Sequence, residues 1–250
     1  MSTIAIIPIP DVPQIKPGDD LPTLLLGAIE RAKVGIKDGD VLVMCQKIVS
    51  KAEGAVIDLK TVTPSPFAVQ IAEMWEKDPR MVEVVLTESS SIVRMKNGVV
   101  VTETKHGWVC ANSGVDASNT LADDIVILLP ENPDRSARQI RLAIEQAKDI
   151  SIGVIITDTF GRPWRDGLVE FAVGVSGLDP LDDQRGEEDL QGRELHHTVI
   201  AVADELAAAA GLLMEKSAAM PAILIRGYQF TRADIGSGLL KRPADADLFR

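Results

Sequence analysis

Polar and charged residues follow an apolar run at the point where a buried strand should end. In the segment GVIITDTFGRPWRDG (153–167), Asp158 lies between two threonines, and Arg162 and Arg165 come shortly afterwards. Carboxylate and hydroxyl oxygens are ligands for hard divalent cations, and arginine forms bidentate contacts with phosphate or carboxylate groups. The segment therefore indicates either a metal and phosphate site at a strand end or a capped turn with solvated arginines.

A second acid follows another strand-like run, in the segment CANSGVDASNT (110–120). Short polar residues surround Asp116 there, and such residues also cluster in turns for purely local reasons. The spacing fits neither an EF-hand loop nor a zinc site. If the two strands lie side by side, Asp116 and Asp158 could hold Mg²⁺ or Mn²⁺ and leave coordination positions open for phosphate.

Two lysines follow a third apolar run, in the segment CQKIVSKAEG (45–54). Lys47 and Lys51 supply positive charge, Ser50 a hydroxyl and Gly54 close backbone approach, which together suit a polyphosphate. The segment is not a Walker A loop, because GxxxxGK[ST] does not occur in the chain. The alternative is an exposed polar turn.

The elements that must position these residues alternate along the chain and predict a mixed α/β or α+β fold. Strand-like runs rich in Val and Ile cover residues 4–9, 41–45, 55–59, 99–102, 108–111, 125–129, 152–157, 171–175 and 222–225. Helix-like runs cover residues 21–33, 66–77, 134–148 and 198–216. The segment TVTPSP (61–66) is either a linker between subdomains or a plain loop.

Composition narrows the class of protein. The chain has 250 residues, of which 46% are hydrophobic and 25% charged, so it is expected to be a globular protein of one or two domains. The net charge of −11 argues against a nucleic-acid partner. No apolar run approaches the ~20 residues of a membrane span, and the start lacks the basic region of a signal peptide. We therefore expect a cytoplasmic protein without a membrane partner.

The motifs occur together and in an order that resembles the coenzyme F420-0:L-glutamate ligases, the γ-glutamyl ligases of deazaflavin cofactor biosynthesis. The resemblance rests on IKPGDDL, DGDVLVMCQKIVSKAEG, NSGVDASN, GVIITDTFGRPWRDG, GREL and VADELAAAAGLLM. It implies one domain of that family over residues 1–250, with one or two subdomains, an unusual fold of mixed sheets with flanking helices, and an intertwined homodimer. Some relatives carry a fused nitroreductase-like domain, which we do not expect here.

The resemblance also implies a reaction and a set of site residues. The expected reaction is GTP-dependent addition of L-glutamate to coenzyme F420-0 or its dehydro form, with two divalent ions, Mg²⁺ or Mn²⁺, and room for a monovalent cation. The expected nucleotide contacts are Val12, Pro13, Gln14, Ile15, Gln46, Lys47, Lys51, Asn119 and Met214. The expected metal ligands are Asp116, Asp158, Thr159 and Glu215, and the expected catalytic residues are Asp116, Asp158 and Arg162. Two alternatives stay open: a ligase of this fold acting on another carboxylate, and a nucleotide-binding protein or GTPase without ligase activity.

Overall fold

The computed structural model of the protein describes residues 3–118, 120, 122–214 and 219–247. Within these residues the strands are β1 (Ala5–Pro8), β2 (Val41–Cys45), β3 (Val56–Asp58), β4 (Ser89–Lys96), β5 (Val99–Thr104), β6 (Val109–Ala111), β7 (Ile125–Ile127), β8 (Gly153–Arg162), β9 (Arg165–Ser176), β10 (Asp182–Asp183), β11 (Val199–Ile200) and β12 (Ala222–Arg226). The helices are α1 (Leu21–Arg31), α2 (Gln46–Glu53), α3 (Pro66–Trp75), α4 (Pro79–Thr87), α5 (Pro133–Lys148) and α6 (Val202–Gly211). Short 3₁₀ turns lie at Leu59–Thr61, Asn112–Gly114, Gly238–Leu240 and Ala244–Ala246.

A mixed sheet of five strands, in the order β1-β12-β2-β8-β9, forms the centre of the fold. Strands β2 and β8 run parallel, and the other neighbouring pairs run antiparallel. Helices α1, α2 and α5 contribute to the hydrophobic core on one face of this sheet, and α6 packs on the other face. Because both faces are covered, β2 and the first half of β8 are apolar at almost every position.

A third hydrophobic cluster, besides those on the two faces of the central sheet, lies within residues 57–128. It joins helices α3 and α4 to the small sheets β3-β7 and β4-β5-β6. The predicted division of the chain into subdomains remains a prediction. None of the helices in the described ranges is long and apolar enough to cross a membrane.

The mixed α+β fold expected from the sequence is confirmed, with corrections to individual elements. The alternative of an exposed polar turn at residues 45–54 is wrong, because Gln46–Glu53 form α2, whose Ile48 and Val49 pack into the core. Gly54 ends this helix in the left-handed conformation that favours glycine (φ 74°). The helix expected over 198–216 begins at Val202 instead, because Val199–Ile200 pair with Asp182–Asp183 as β11.

Strands β8 and β9 are longer than their apolar runs predict. The pairing of β2 with β8 stops at Cys45 and Thr157, whereas β8 continues to Arg162 with β9 as its neighbour. We call this two-stranded extension, residues 158–162 and 165–171, the overhang. It carries the polar segment that the sequence singles out beyond the edge of the central sheet.

Candidate active site

A cavity of about 880 Å³ lies beside the overhang. Its walls come from residues 12–15, the start of α2, both strands of the overhang and the segment that follows α6. These segments are far apart in the sequence, and the end of β2 brings them together at one end of the central sheet. The cavity is therefore built where a strand stops and its parallel neighbour continues.

Most of the residues predicted for the site line this one cavity. They are Val12, Pro13, Gln14, Ile15, Gln46, Lys47, Lys51, Asp116, Asp158, Thr159 and Met214. Asn119 and Glu215 lie outside the described residues. Arg162 is not part of the lining: it sits at the far end of the overhang, where its Nη2 donates to the carbonyl oxygen of Asp166 at 2.9 Å.

Asp116 is paired with a lysine across the cavity wall. Its Oδ2 lies 2.7 Å from Lys47 Nζ, and its Oδ1 accepts the backbone N–H of Ser118 at 2.6 Å. The backbone of Asp116 bonds in both directions with Ile127, which fixes the carboxylate against β7. Burial opposes ionisation, but the hydrogen bonds from Lys47 and Ser118 outweigh it, so the pKa of Asp116 lies below its usual value.

Asp158 has the opposite electrostatic environment. Burial, and then the negative charges of Glu170 and Asp116, raise its pKa to about 7, although the Thr159 backbone N–H and the Lys47 charge favour the ionised form. Asp116 and Asp158 line the same cavity, although Asp158 belongs to β8 and Asp116 lies in the segment after β6, bridged to Ile127 of β7. The shared metal site that the sequence suggested stays a prediction.

Glu170 is a cavity residue that the sequence motifs did not identify. It faces Thr159 across the overhang, and its carboxylate accepts the hydroxyl protons of Thr157 at 2.6 Å and of Thr159 at 2.5 Å. The strand expected at 171–175 begins one residue later, so Glu170 was left outside it. The signal that could have found Glu170 is an acid set among apolar residues in GLVEFAVGV.

The start of α2 presents hydrogen-bond donors to the cavity. Its N-cap residue, Cys45, makes no side-chain capping bond. Gln46 is 1% exposed; its Oε1 accepts from Ser50 at 2.7 Å, whereas its Nε2 has no partner among the described residues. A buried amide donor without an acceptor is costly, so this end of the helix suits the acceptor oxygens of a ligand. Lys51 also lines the cavity, and burial lowers its pKa.

The donor atoms of the cavity fit a hard divalent cation. Asp116 and Asp158 supply carboxylate oxygens and Thr159 a hydroxyl oxygen; burial, and then the charges of Glu170 and Asp116, disfavour the ionised form of Asp158, and a cation would offset both effects. Over the ranges that the structure describes, no group of three or more His, Cys, Asp or Glu side chains is arranged to hold an ion by itself. Water or phosphate oxygens would therefore complete the ligand set.

The fold is a mixed α+β fold whose cavity combines two lysines and an amide donor without a partner in the described part of the chain, which suit an anion, with two carboxylates, which suit a cation. A sequence model of the F420-0:gamma-glutamyl ligase family matches residues 10–227. The chain is 46% identical to the coenzyme F420:L-glutamate ligase of Methanothermobacter thermautotrophicus over 250 residues, which cover 99% of each chain. It is 47% identical to that of Methanopyrus kandleri over 92% of this chain and 89% of the relative, and 42% identical to that of Archaeoglobus fulgidus over 90% and 88%. The chain belongs to the F420-0:gamma-glutamyl ligase family.

Proposed function

We propose that the protein joins L-glutamate to coenzyme F420-0 or its dehydro form, with GTP as the phosphate donor. The relatives are coenzyme F420:L-glutamate ligases, which supports L-glutamate and a form of coenzyme F420 as the two substrates. The observation that supports a phosphate-transfer reaction best is the single cavity in which Asp116 and Asp158 meet Lys47 and Lys51. A polyphosphate needs both positive side chains and cations, in a chain whose net charge is −11.

The proposed reaction has two steps, because a carboxylate is a poor acyl donor. First, a carboxylate oxygen of F420-0 attacks the γ-phosphorus of GTP, which forms an acyl phosphate and releases GDP. The deprotonated α-amino group of L-glutamate then attacks the acyl carbon, and inorganic phosphate leaves as the amide forms. Both steps bring anions together, so the main task of the protein is to position them and offset their charge.

The cavity residues divide this task. Lys51, Gln46 Nε2 and the first N–H groups of α2 bind phosphate oxygens, and Lys47 can exchange its contact with Asp116 for a phosphate. Residues 12–15 and Met214 contact the rest of the nucleotide. Asp116, Asp158 and Thr159 would hold two divalent ions, which when bound offset phosphate charge and align the transfer. Arg162 lies outside the lining, at the far end of the overhang, and would reach phosphate or the incoming glutamate only by giving up its contact with the Asp166 carbonyl oxygen.

Mass spectrometry of a complete reaction tests this proposal. Purified protein is incubated with GTP, Mn²⁺, L-glutamate and F420-0, and the expected products are a glutamyl amide of F420-0 and one GDP for each bond formed. GDP release without glutamate and without an amide would favour the GTPase alternative. An amide formed with another carboxylate, but not with F420-0, would favour a different acyl substrate. Parallel reactions with ATP test the nucleotide, and the product masses give the number of glutamates.

We also propose that the protein is a homodimer. Apolar side chains at the rim of the cavity are exposed, among them Leu168 at 65% and Leu212 at 72%, and a second copy could cover them. We expect a stable dimer at micromolar concentration that buries roughly 2,000 Å² or more. Sedimentation equilibrium at low protein concentration tests this, and a monomer mass with full ligase activity would contradict it.

A further inference from the structure

Glu170 holds two hydroxyl groups of the cavity in one orientation. We propose that Glu170 is a positioning residue. It accepts the hydrogen bond that the Thr159 hydroxyl group donates, so that the threonine oxygen can bind a cation but cannot donate a hydrogen bond to phosphate. This inference rests on the proposed function, because it concerns how the same cavity separates its cation site from its phosphate site. Nothing in the sequence motifs assigns a role to Glu170.

The geometry of the overhang fixes the Glu170 carboxylate. Thr157 and Thr159 point to the same face of β8, and Glu170 lies opposite Thr159 on β9. Its two oxygens are shared out, with Oε2 accepting from Thr157 and Oε1 from Thr159. The end of α6 packs against the side chain, since a Cβ atom added at Gly211 would lie 2.8 Å from Glu170 Cγ. The carboxylate therefore has little room to turn away from the hydroxyls.

The count of hydrogen-bond donors decides what each threonine can do. A threonine hydroxyl has one proton and two lone pairs. Because the Thr159 hydroxyl group donates its hydrogen bond to Glu170, it can offer only lone pairs to a ligand in the cavity. Lone pairs can bind a cation but not a phosphate oxygen. Thr157 differs, because its hydroxyl also has the Met44 carbonyl oxygen at 3.5 Å and Met214 Sδ at 3.9 Å as other acceptors. The proposed effect of Glu170 on a bound ion therefore runs through Thr159.

Two substitutions distinguish the effect of Glu170 on the orientation of the Thr159 hydroxyl group from the effect of its negative charge. Glu170→Gln keeps the size but replaces one acceptor oxygen by an NH₂ donor, so at most one threonine keeps its acceptor. Glu170→Asp keeps the negative charge but draws the carboxylate back by one methylene, away from both hydroxyls. If Glu170 acts by orienting Thr159, both substitutions weaken the cation site. If it acts by charge alone, only Glu170→Gln does.

Manganese binding measures the effect without turnover. Free Mn²⁺ is followed by electron paramagnetic resonance in titrations of the whole protein without nucleotide or substrates. We expect Glu170→Gln, Glu170→Asp and Thr159→Val each to raise the Mn²⁺ Kd by roughly 10-fold, the usual scale for an outer partner of a metal ligand. The double variant Thr159→Val/Glu170→Gln should bind no more weakly than the weaker single variant. The matched control Thr157→Val should stay within about twofold of the wild type.

Several results would overturn the proposal. An unchanged Mn²⁺ Kd in Glu170→Asp would leave charge as the only role, and a roughly 100-fold loss in the double variant would show that the two residues act independently. An unchanged Kd in Thr159→Val would remove Thr159 from the ion. In each case, amide formation by the wild-type protein would still support the proposed function. Conversely, if the wild type forms no amide but the variants show the expected changes in Mn²⁺ Kd, the proposed ligase activity is overturned and the role of Glu170 stands. Circular dichroism of every variant confirms the fold, and Glu170→Asp carries the test if Glu170→Gln does not fold.

Discussion

The contact between Lys47 and Asp116 leads to a prediction about how the cavity exchanges one positive charge for another. The two side chains are only 14% and 28% exposed, and their charged atoms lie 2.7 Å apart. When no cation is present, the lysine is the counter-ion of Asp116. Lys47→Met keeps most of the buried stem and removes only the charge, so it tests the ion pair and not the packing.

The expected loss of stability depends on the contacts that Asp116 retains after Lys47 is replaced. A charge-assisted hydrogen bond contributes about 1.5–3 kcal/mol, and breaking a fully buried pair costs about 3–5 kcal/mol. Asp116 is partly exposed and retains the N–H of Ser118 at 2.6 Å. We therefore expect Lys47→Met to lower the free energy of unfolding by about 2 kcal/mol in metal-free buffer, which corresponds to roughly 4–8 °C in Tm for a chain of this size.

Urea unfolding with EDTA and with saturating Mn²⁺ provides the assay. If Asp116 is a metal ligand, the ion displaces the ammonium group in the wild type but meets no competitor in Lys47→Met. The variant should therefore bind Mn²⁺ more tightly, and the added ion should remove most of its stability deficit. A deficit of the same size in EDTA and in Mn²⁺ would refute the assignment of Asp116 to the metal.

An exposed lysine–aspartate pair supplies the matched control. Lys60 Nζ lies 3.2 Å from Asp124 Oδ2, and the lysine side chain is 69% exposed. Lys60→Met should lower the free energy of unfolding far less than Lys47→Met does, because solvent screens an exposed pair. Its response to Mn²⁺ should match that of the wild type.

Four further predictions address the site and its support. Asp158→Asn should abolish ligation without loss of stability in EDTA, because it removes a carboxylate whose pKa is raised mainly by burial, and near-normal turnover in an Mn²⁺ titration would contradict this. Lys51→Ala should weaken GTP binding by about 1.5–3 kcal/mol in calorimetry, and unchanged affinity would remove Lys51 from the site. Arg226→Met should cost about 3–5 kcal/mol in urea unfolding, because it strips Asp40, which is 1% exposed, of contacts at 2.7 and 2.8 Å, and a near-wild-type midpoint would refute this. Asp204 accepts one backbone N–H, and burial raises its pKa above the unfolded value of ~3.9, so its ionisation costs stability as the pH rises. The stability of Asp204→Asn relative to the wild type should therefore grow as the pH rises through and above ~3.9, and a pH-independent difference would argue against it.

The apolar elements of this fold could be predicted from the sequence because their residues form local apolar runs bounded by turn residues. Strand β2 was predicted with its observed bounds, since all its residues are apolar and turn residues precede it. Helix α2 was missed because only Ile48 and Val49 mark its core face, while Gln46 and Ser50 are polar and yet buried. Their burial depends on the cavity and on the chain around it, which local periodicity does not record.

The site could be predicted in part for the same reason. Asp116 and Asp158 were recognised as strand-end acids, and the resemblance supplied several further residues of the lining. Their presence in one cavity depends on how the segment after β6 packs beside β8, and the pairing of Glu170 with Thr159 depends on the register of a hairpin. Both involve residues distant in the sequence, so the spacing of residue types along the chain could not specify them.

The overhang divides one continuous strand into two regions with different numbers of neighbours. Residues 153–157 of β8 are paired on both sides, whereas residues 158–162 are paired with β9 alone. Backbone amides of the second region can therefore exchange with solvent through a local opening that leaves the central sheet intact. Asp158, Thr159 and Arg162 belong to this second region, so we expect occupation of the cavity to slow the exchange of its amides.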